Sequence, residues 1–367
     1  LSAVGDAEYS SSPLDVGVTT LTYAEKGGWT YARSIQQAMA DIATRHGEDC
    51  MFIGEDMEVA GAFGMNMALK NAGHTDKLID MPLCEAAIVH TGVGAALSGM
   101  RPMVEIQFGG FAALGFNALL NNAAMLRWRW GAECPMTIRI PLGARTRSGP
   151  FHANMIESWF ANDPGLVVVA AGTPQDAYDL LMESAELNDP VLFLEHIGLY
   201  GLRGGLTGWG QNINQNVDTE TVQQAIAKGE RYKLGKAAIV RGWRDVTLVT
   251  WGSMLHVAQQ AADELAGEDI EVEIVDLRTL LPFDAQTCIE SVTRTGRLVV
   301  LQEGQWCGGL GHSIQSRILE SCFYTLESAP LVIGALDTPV PFSPPLENFT
   351  IPSLEHVVKV LRLTTQS

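Results

Sequence analysis

The chain has 367 residues, 47% hydrophobic and 18% charged, so it can bury a core large enough for two domains. Its 42 acidic and 24 basic residues give a formal charge of -18, which opposes non-specific nucleic-acid binding and reads as solubility rather than as a clue to substrate. No apolar run approaches the roughly 20 residues that span a bilayer, and LSAVGDAEYSSSPLDVG lacks a basic, then apolar, secretory pattern; a cytoplasmic chain is the expectation, with removal of an earlier targeting segment left open.

In chain order, residues 1–25 are rich in Ser, Gly and Thr and read as an N-terminal arm. Regular structure is predicted from WTYARSIQQAMADIATRHG, where Ile35, Ala38, Met39 and Ile42 mark one helical face. CMFIGED reads as a short buried strand ending at acidic residues. LIDMPLCE resembles a second strand tip, followed by the helix AAIVHTGVGAALSG, whose small residues permit close packing. MRPMVEIQF supplies a strand, residues 117–130 a helix and MTIRIPLG another strand, and GLVVVAAGTPQDAYDLLMESAELNDPVLFLEH reads strand, helix, strand. Such alternation predicts an α/β unit with a mostly parallel sheet whose ligands approach the carboxyl ends of the strands. Residues 200–236 lapse into a bridge with one short helix. DVTLVTWGSMLHVAQQAADELAG, IEVEIVDLRTLLPFD, GRLVVLQEG, SIQSRILESCF and PLVIGAL then predict a second α/β unit.

Familiar cofactor motifs are missing: no GxGxxG follows a strand in a dinucleotide-binding setting, and there is no GxxxxGK[ST] phosphate loop. The cysteines, Cys50, Cys84, Cys134, Cys288, Cys307 and Cys322, form no CxxC pair and read as reduced, buried thiols, and no zinc-like ligand spacing occurs. GGLGH at 308–312 could cradle a ligand, or its glycines could serve a tight turn. Glu85 sits at an apolar strand-to-helix junction and admits two readings. It could cap the following helix, or it could point into a cleft, where burial suits proton exchange with a heterocycle. His152, in RTRSGPFHANMIESWF, lies in a loop of the kind that carries sites. Phe111, in QFGGFAALGF, is either core or a flat face for a ring. His90 and His256 read as packing residues on helices.

The segments IGEDMEVAGAFG, DMPLCEAAIVHTGVGAALSGMRPMVEIQF, FHAN, DPGLVVVAAGTPQDA, YKLGKAAIVR, DVTLVTWGS, VEIVDLRTLLPFD, TGRLVVLQEG and LDTPVPF, in this order, resemble the beta chain of the thiamine-diphosphate-dependent 2-oxo acid dehydrogenases. That group includes the pyruvate, branched-chain and acetoin enzymes. The resemblance implies a Pyr-type cofactor-binding domain over 26–205, a linker over 206–235 and a transketolase-like C-terminal α/β domain over 236–367. It also implies that the cofactor lies between this chain and an alpha-type subunit in an alpha2-beta2 heterotetramer. The partner would hold the diphosphate and magnesium, because the GDG…N metal pattern has no counterpart here. Glu85 matches the family glutamate that bonds N1' of the aminopyrimidine and promotes loss of the thiazolium C2 proton. His152 matches a histidine that steers substrate or protonates intermediates, and Phe111 an aromatic that contacts the aminopyrimidine. Glu55 matches a second acidic position near this network, with a backbone-organising role equally open. The implied reaction is decarboxylation of a 2-oxo acid with acyl transfer to lipoamide on an acyltransferase core.

Some segments depart from the family pattern. FGGFAALGFN stands where branched-chain members have FADYIFPAFD, so Asn117 replaces an acid, and HAN replaces HSQ after His152. Arg145 and Arg147 add positive charge nearby, either to greet an anion or as a solvated rim. The bridge is longer than the family norm, and AELNDPV corresponds to a region where monovalent cations, potassium among them, bind in the family. A split transketolase-like transferase or carboligase, and a partner chain without turnover, are the alternatives.

Overall fold

The first long helix, Tyr31–His46, starts where the Thr30 hydroxyl accepts from the Arg33 amide and stops at Gly47, whose φ of 54° suits a residue without a Cβ. Its inner stripe, Ile35, Ala38, Met39 and Ile42, is buried as predicted and packs on the helix Pro174–Glu186. That second helix is capped by the Thr173 hydroxyl with Pro174 in its first turn. The computed structural model describes residues 17–24, 27–201 and 213–366; most of the expected arm, and 202–212 of the bridge, lie outside the described residues.

The strands are β1 Cys50–Gly54, β2 Leu78–Asp80, β3 Arg101–Glu105, β4 Thr137–Leu142, β5 Val167–Val169, β6 Val191–His196, β7 Ala238–Arg241, β8 Val246–Thr250, β9 Val272–Asp276, β10 Thr279–Leu281, β11 Leu298–Gln305 and β12 Leu331–Ala335. The first sheet has the order β10-β5-β6-β4-β3-β1-β2 and the second β12-β11-β8-β9-β7. β10 runs antiparallel to β5, and β7 antiparallel to β9; every other pairing is parallel. β4 and β6 are buried along their whole length, as expected of parallel strands covered on both faces. One apolar core joins the two sheets, with Ile138, Val168 and Leu194 continuous with Val249, Val275 and Val300.

Three readings change. The helix predicted over 117–130 is a π-helical turn, Ala118–Ala123, followed by a short helix, Leu126–Trp130. There the Ala124 amide reaches the Leu119 carbonyl, five residues back, and Asn122 turns its amide to His90 Nε2. LRTLLPFD does not continue the second sheet, because β10 leaves to edge the first. Cys84 and Cys307 are exposed thiols, whereas the other four are buried. Among the described residues no helix is long and apolar enough to cross a membrane.

Candidate active site

The strands β4, β3, β1 and β2 are consecutive neighbours and parallel. Each is followed by one sequence-predicted residue: β1 by Glu55, β2 by Glu85, β3 by Phe111 and β4 by His152. Parallel pairing therefore carries four residues scattered over the sequence to one edge of the sheet, outside its carboxyl ends.

Glu85 opens the helix Glu85–Leu97 and is 3% exposed. The preceding Cys84 gives that helix no side-chain cap, and Glu85 Oε2 is buried without a hydrogen-bond partner. A buried carboxylate oxygen left open at the positive end of a helix is primed for a donor from outside the chain. Glu55 is close enough to feel this charge. Burial, and then the negative charges of Glu85, Asp56 and Glu105, raise its carboxyl above the ordinary value.

Phe111 lies in the tight turn Gly109–Ala113 and is half-buried. Its ring stands edge-on to His152 at 5.5 Å, and Phe108 stands edge-on to His152 at 4.4 Å. The His152 Nδ1–H donates to the Ser148 carbonyl at 3.2 Å, since a carbonyl can only accept, and this leaves Nε2 as the acceptor of the neutral ring. The two groups meet through Glu105 and Phe108. Glu105 Oε1 accepts from the Ala62 amide, and the next residue, Phe63, packs edge-on against Phe108.

Beneath the site, Arg139 is buried between two carboxylates. It donates to Glu105 Oε2 at 2.7 Å and to both oxygens of Glu195 at 2.6 and 2.8 Å. Burial alone would lower the pKa of Arg139, but Glu195 and Glu105 more than reverse this and hold it above the ordinary value. This triad fixes the ends of β3 and β6 against β4. It was not read from the sequence, because nothing local distinguishes a charge that will pair across strands.

The other candidates resolve as structure. His90 Nδ1 bonds the Ala86 carbonyl, and His256 is buried with Nε2 on the Gly172 carbonyl. Gly309 and Gly311 of GGLGH give room to Gln302, whose Oε1 accepts from the Gly311 amide; a Cβ at Gly309 would lie 1.7 Å from Gln302 Nε2. Arg147 is no solvated rim, because its guanidinium pairs with the buried carboxylate of Glu347. Among the described residues no three His, Cys, Asp or Glu side chains are grouped to hold a metal ion.

The transketolase pyrimidine-binding domain family matches residues 28–202, and the transketolase C-terminal domain family matches 235–357. The beta subunit of an acetoin:2,6-dichlorophenolindophenol oxidoreductase from Cupriavidus necator is 40% identical over 85% of this chain and 87% of its own length. The pyruvate dehydrogenase E1 component subunit beta of Bacillus subtilis is 35% identical over 87% of this chain and 93% of its own. Its counterpart in Staphylococcus epidermidis is 33% identical over 92% and 98%. Among solved structures, a split-gene transketolase in an inactive beta4 tetramer aligns with a TM-score of 0.70 at 19% identity, covering 93% of this chain and 99% of that one; this likeness is one of fold.

Proposed function

Because the chain belongs to the beta subunits of thiamine-diphosphate-dependent 2-oxo acid dehydrogenases and oxidoreductases, we propose that it decarboxylates a 2-oxo acid together with an alpha-type subunit and passes the acyl group to lipoamide. The observation that carries this reading is the open, buried Oε2 of Glu85 beside Glu55, in line with Phe111 and His152 along the strand ends. The residues suit the group. An acceptor oxygen without a partner answers a pyrimidine nitrogen that must be protonated, and a half-buried phenyl face answers an aromatic ring. When bound, thiamine diphosphate supplies the acidic carbon and the electron sink.

Glu85 holds the proton at the pyrimidine nitrogen. Glu55 lies near enough to bias its charge, and Phe111 orients the ring. His152 accepts through Nε2 while its ring is neutral, and when the ring is charged its Nε2–H donates to the substrate carboxylate or to an intermediate. The diphosphate, magnesium and any potassium belong to the same proposal, with the first two held mainly by the alpha-type subunit of an alpha2-beta2 assembly that docks on a lipoyl acyltransferase core. So do the divisions at 26–205, 206–235 and 236–367.

The test is to coexpress the chain with its alpha-type partner, add thiamine diphosphate and magnesium, and screen 2-oxo acids for carbon dioxide release with lipoamide or an aldehyde as acceptor. Release that depends on lipoamide is expected. A complex that binds cofactor yet releases carbon dioxide from no donor overturns the reading, and release coupled only to aldehydes reassigns the chain to a carboligase.

A further inference from the structure

The loop that carries His152 is gripped by the other half of the molecule. After β4 the chain passes through Arg145 at φ 73° and Arg147 at φ 59°, both in the left-handed region that residues with a Cβ avoid. Such conformations persist where surrounding contacts over-determine them, and they gather at functional sites. Here the contacts come from two carboxylates of the second unit. Glu303, on β11, accepts from the Ala144 amide at 2.7 Å. Glu347, in the helix Pro344–Thr350 and fully buried, accepts through Oε1 from the Arg145 amide at 2.9 Å and the Arg147 amide at 3.3 Å, while its Oε2 pairs with the Arg147 guanidinium. Phe342 closes the grip, since a Cβ at Gly149 would lie 2.3 Å from its ring.

This grip reaches His152 in one step. Ser148, next to Arg147, offers the carbonyl that accepts from His152 Nδ1, and the His152 amide donates to the Gly149 carbonyl. Resting on the role proposed for His152, we infer that Glu347 is a positioning residue for the reaction: a buried carboxylate of the C-terminal unit that sets the orientation and tautomer of the active-centre histidine through the backbone of residues 145–148. Glu303 shares the task, but it is also bound to His196 and Ser253, so its substitution would disturb the seam between the units as well. Glu347 is the cleaner probe.

The experiment is a double-mutant cycle in the reconstituted complex, with Glu347→Ala, His152→Ala and the two combined. Glu347→Asp, which keeps the carboxylate and withdraws it by one methylene, replaces Glu347→Ala if that variant does not fold. Glu347→Ala should lower kcat/KM for the 2-oxo acid by about 10- to 100-fold, the scale of a misplacement near 1 Å, with the Kd for thiamine diphosphate unchanged. Glu347→Gln, which retains the acceptor oxygen, should keep most of the activity. In the His152→Ala background the change at Glu347 should cost nothing further. In histidine-labelled protein, the His152 ring resonance, assigned by its loss in His152→Ala, should shift in the Glu347→Asp variant. An equal fold loss in both backgrounds, or an unmoved ring resonance, overturns the positioning role while leaving His152 its own. A His152→Ala complex with wild-type kcat/KM overturns both.

Discussion

At the scale of single residues, the partner that an atom lacks is as informative as the one it has. Glu85→Gln preserves shape but replaces one oxygen with an amide that cannot accept the pyrimidine proton. Exchange of the cofactor C2 proton, followed by NMR in the assembled complex, should slow by about 10²- to 10⁴-fold, and an unchanged rate would remove Glu85 from the role. Glu157 illustrates a different use of burial. It lines a small cavity between the units with His196, Trp251, Ser253 and Glu303, and desolvation pushes its carboxyl from 4.5 up to about 7. Between those pH values the folded protein holds a proton that the unfolded chain releases, so stability falls as pH rises through this window and is level above it. Glu303 works in another range. Burial alone would raise it, but His196, Arg145 and the Ala144 amide hold it at about 2, so its contribution is lost only as pH falls below 4.5. Glu303 does not titrate between pH 5 and pH 8, but Asp179 and Asp276 do, so Glu157 is isolated by the difference between wild type and Glu157→Gln in urea midpoints at those two pH values. Glu157→Gln should remove its share of the slope and recover on the order of 3 kcal/mol at pH 8, and a variant with the wild-type slope would rule out a shifted Glu157. Glu85 and His152 could be named as candidates because each stands in a segment with a recognisable pattern. Glu157, Glu303 and Glu347 could not, since the groups that define them come from the far end of the chain.

At the scale of elements, the FGGF turn explains one departure that the sequence left ambiguous. A Cβ at Gly109 would lie 2.8 Å from the Asn154 carbonyl and 3.0 Å from the Leu142 side chain, and one at Gly110 would lie 3.1 Å from the Phe151 carbonyl. The glycines thus let the turn bearing Phe111 rest on the backbone of the loop bearing His152. Gly109→Ala should push the two loops apart, lower stability by about 1–3 kcal/mol and weaken thiamine diphosphate binding in a fluorescence titration. An unaltered Kd and melting temperature would mean that the close approach has no function. The strands after which these loops hang were readable as short apolar runs, because parallel strands buried on both faces have little else in them. The helix over 117–130 was misjudged: its apolar and small residues suit an α-helix, but they leave the backbone free to take the extra residue that brings Asn122 to His90. β10 was missed because three residues before a proline carry no periodicity of their own.

For the whole molecule, two α/β units were legible from alternation, whereas their stitching was not, since it pairs residues distant in sequence. β10 leaves the second unit to edge the first sheet, and Arg278, at φ 59°, makes the turn into it. Its carbonyl accepts from the Ala170 amide at 2.8 Å, and its guanidinium lies 3.1 Å from Asp176 of the first unit. Lys233 pairs with both Asp176 and Asp179, and the neighbouring Asp276 is buried as well. Two cations therefore face three carboxyls. Burial raises Asp179 to about 6 and Asp276 to about 7, while Asp176, which burial alone would raise, is held at about 2 by Arg278 and Lys233. Arg278→Met fills much of the same volume but leaves Lys233 to balance all three. Removing one partner of a buried pair costs about 3–5 kcal/mol, and the remaining lysine argues for the lower end. Urea unfolding should remain a single transition, because the apolar core still spans both sheets, but with a lower midpoint. The loss of stability that Asp176 contributes as pH falls from 3.8 to about 2 should shrink, since without Arg278 its folded-state carboxyl moves up toward the unfolded value. A midpoint equal to wild type would mean that protonation of Asp179 and Asp276 already satisfies Lys233 alone. The seam would then be held by the strand pairing of β10 and the shared core rather than by its charges.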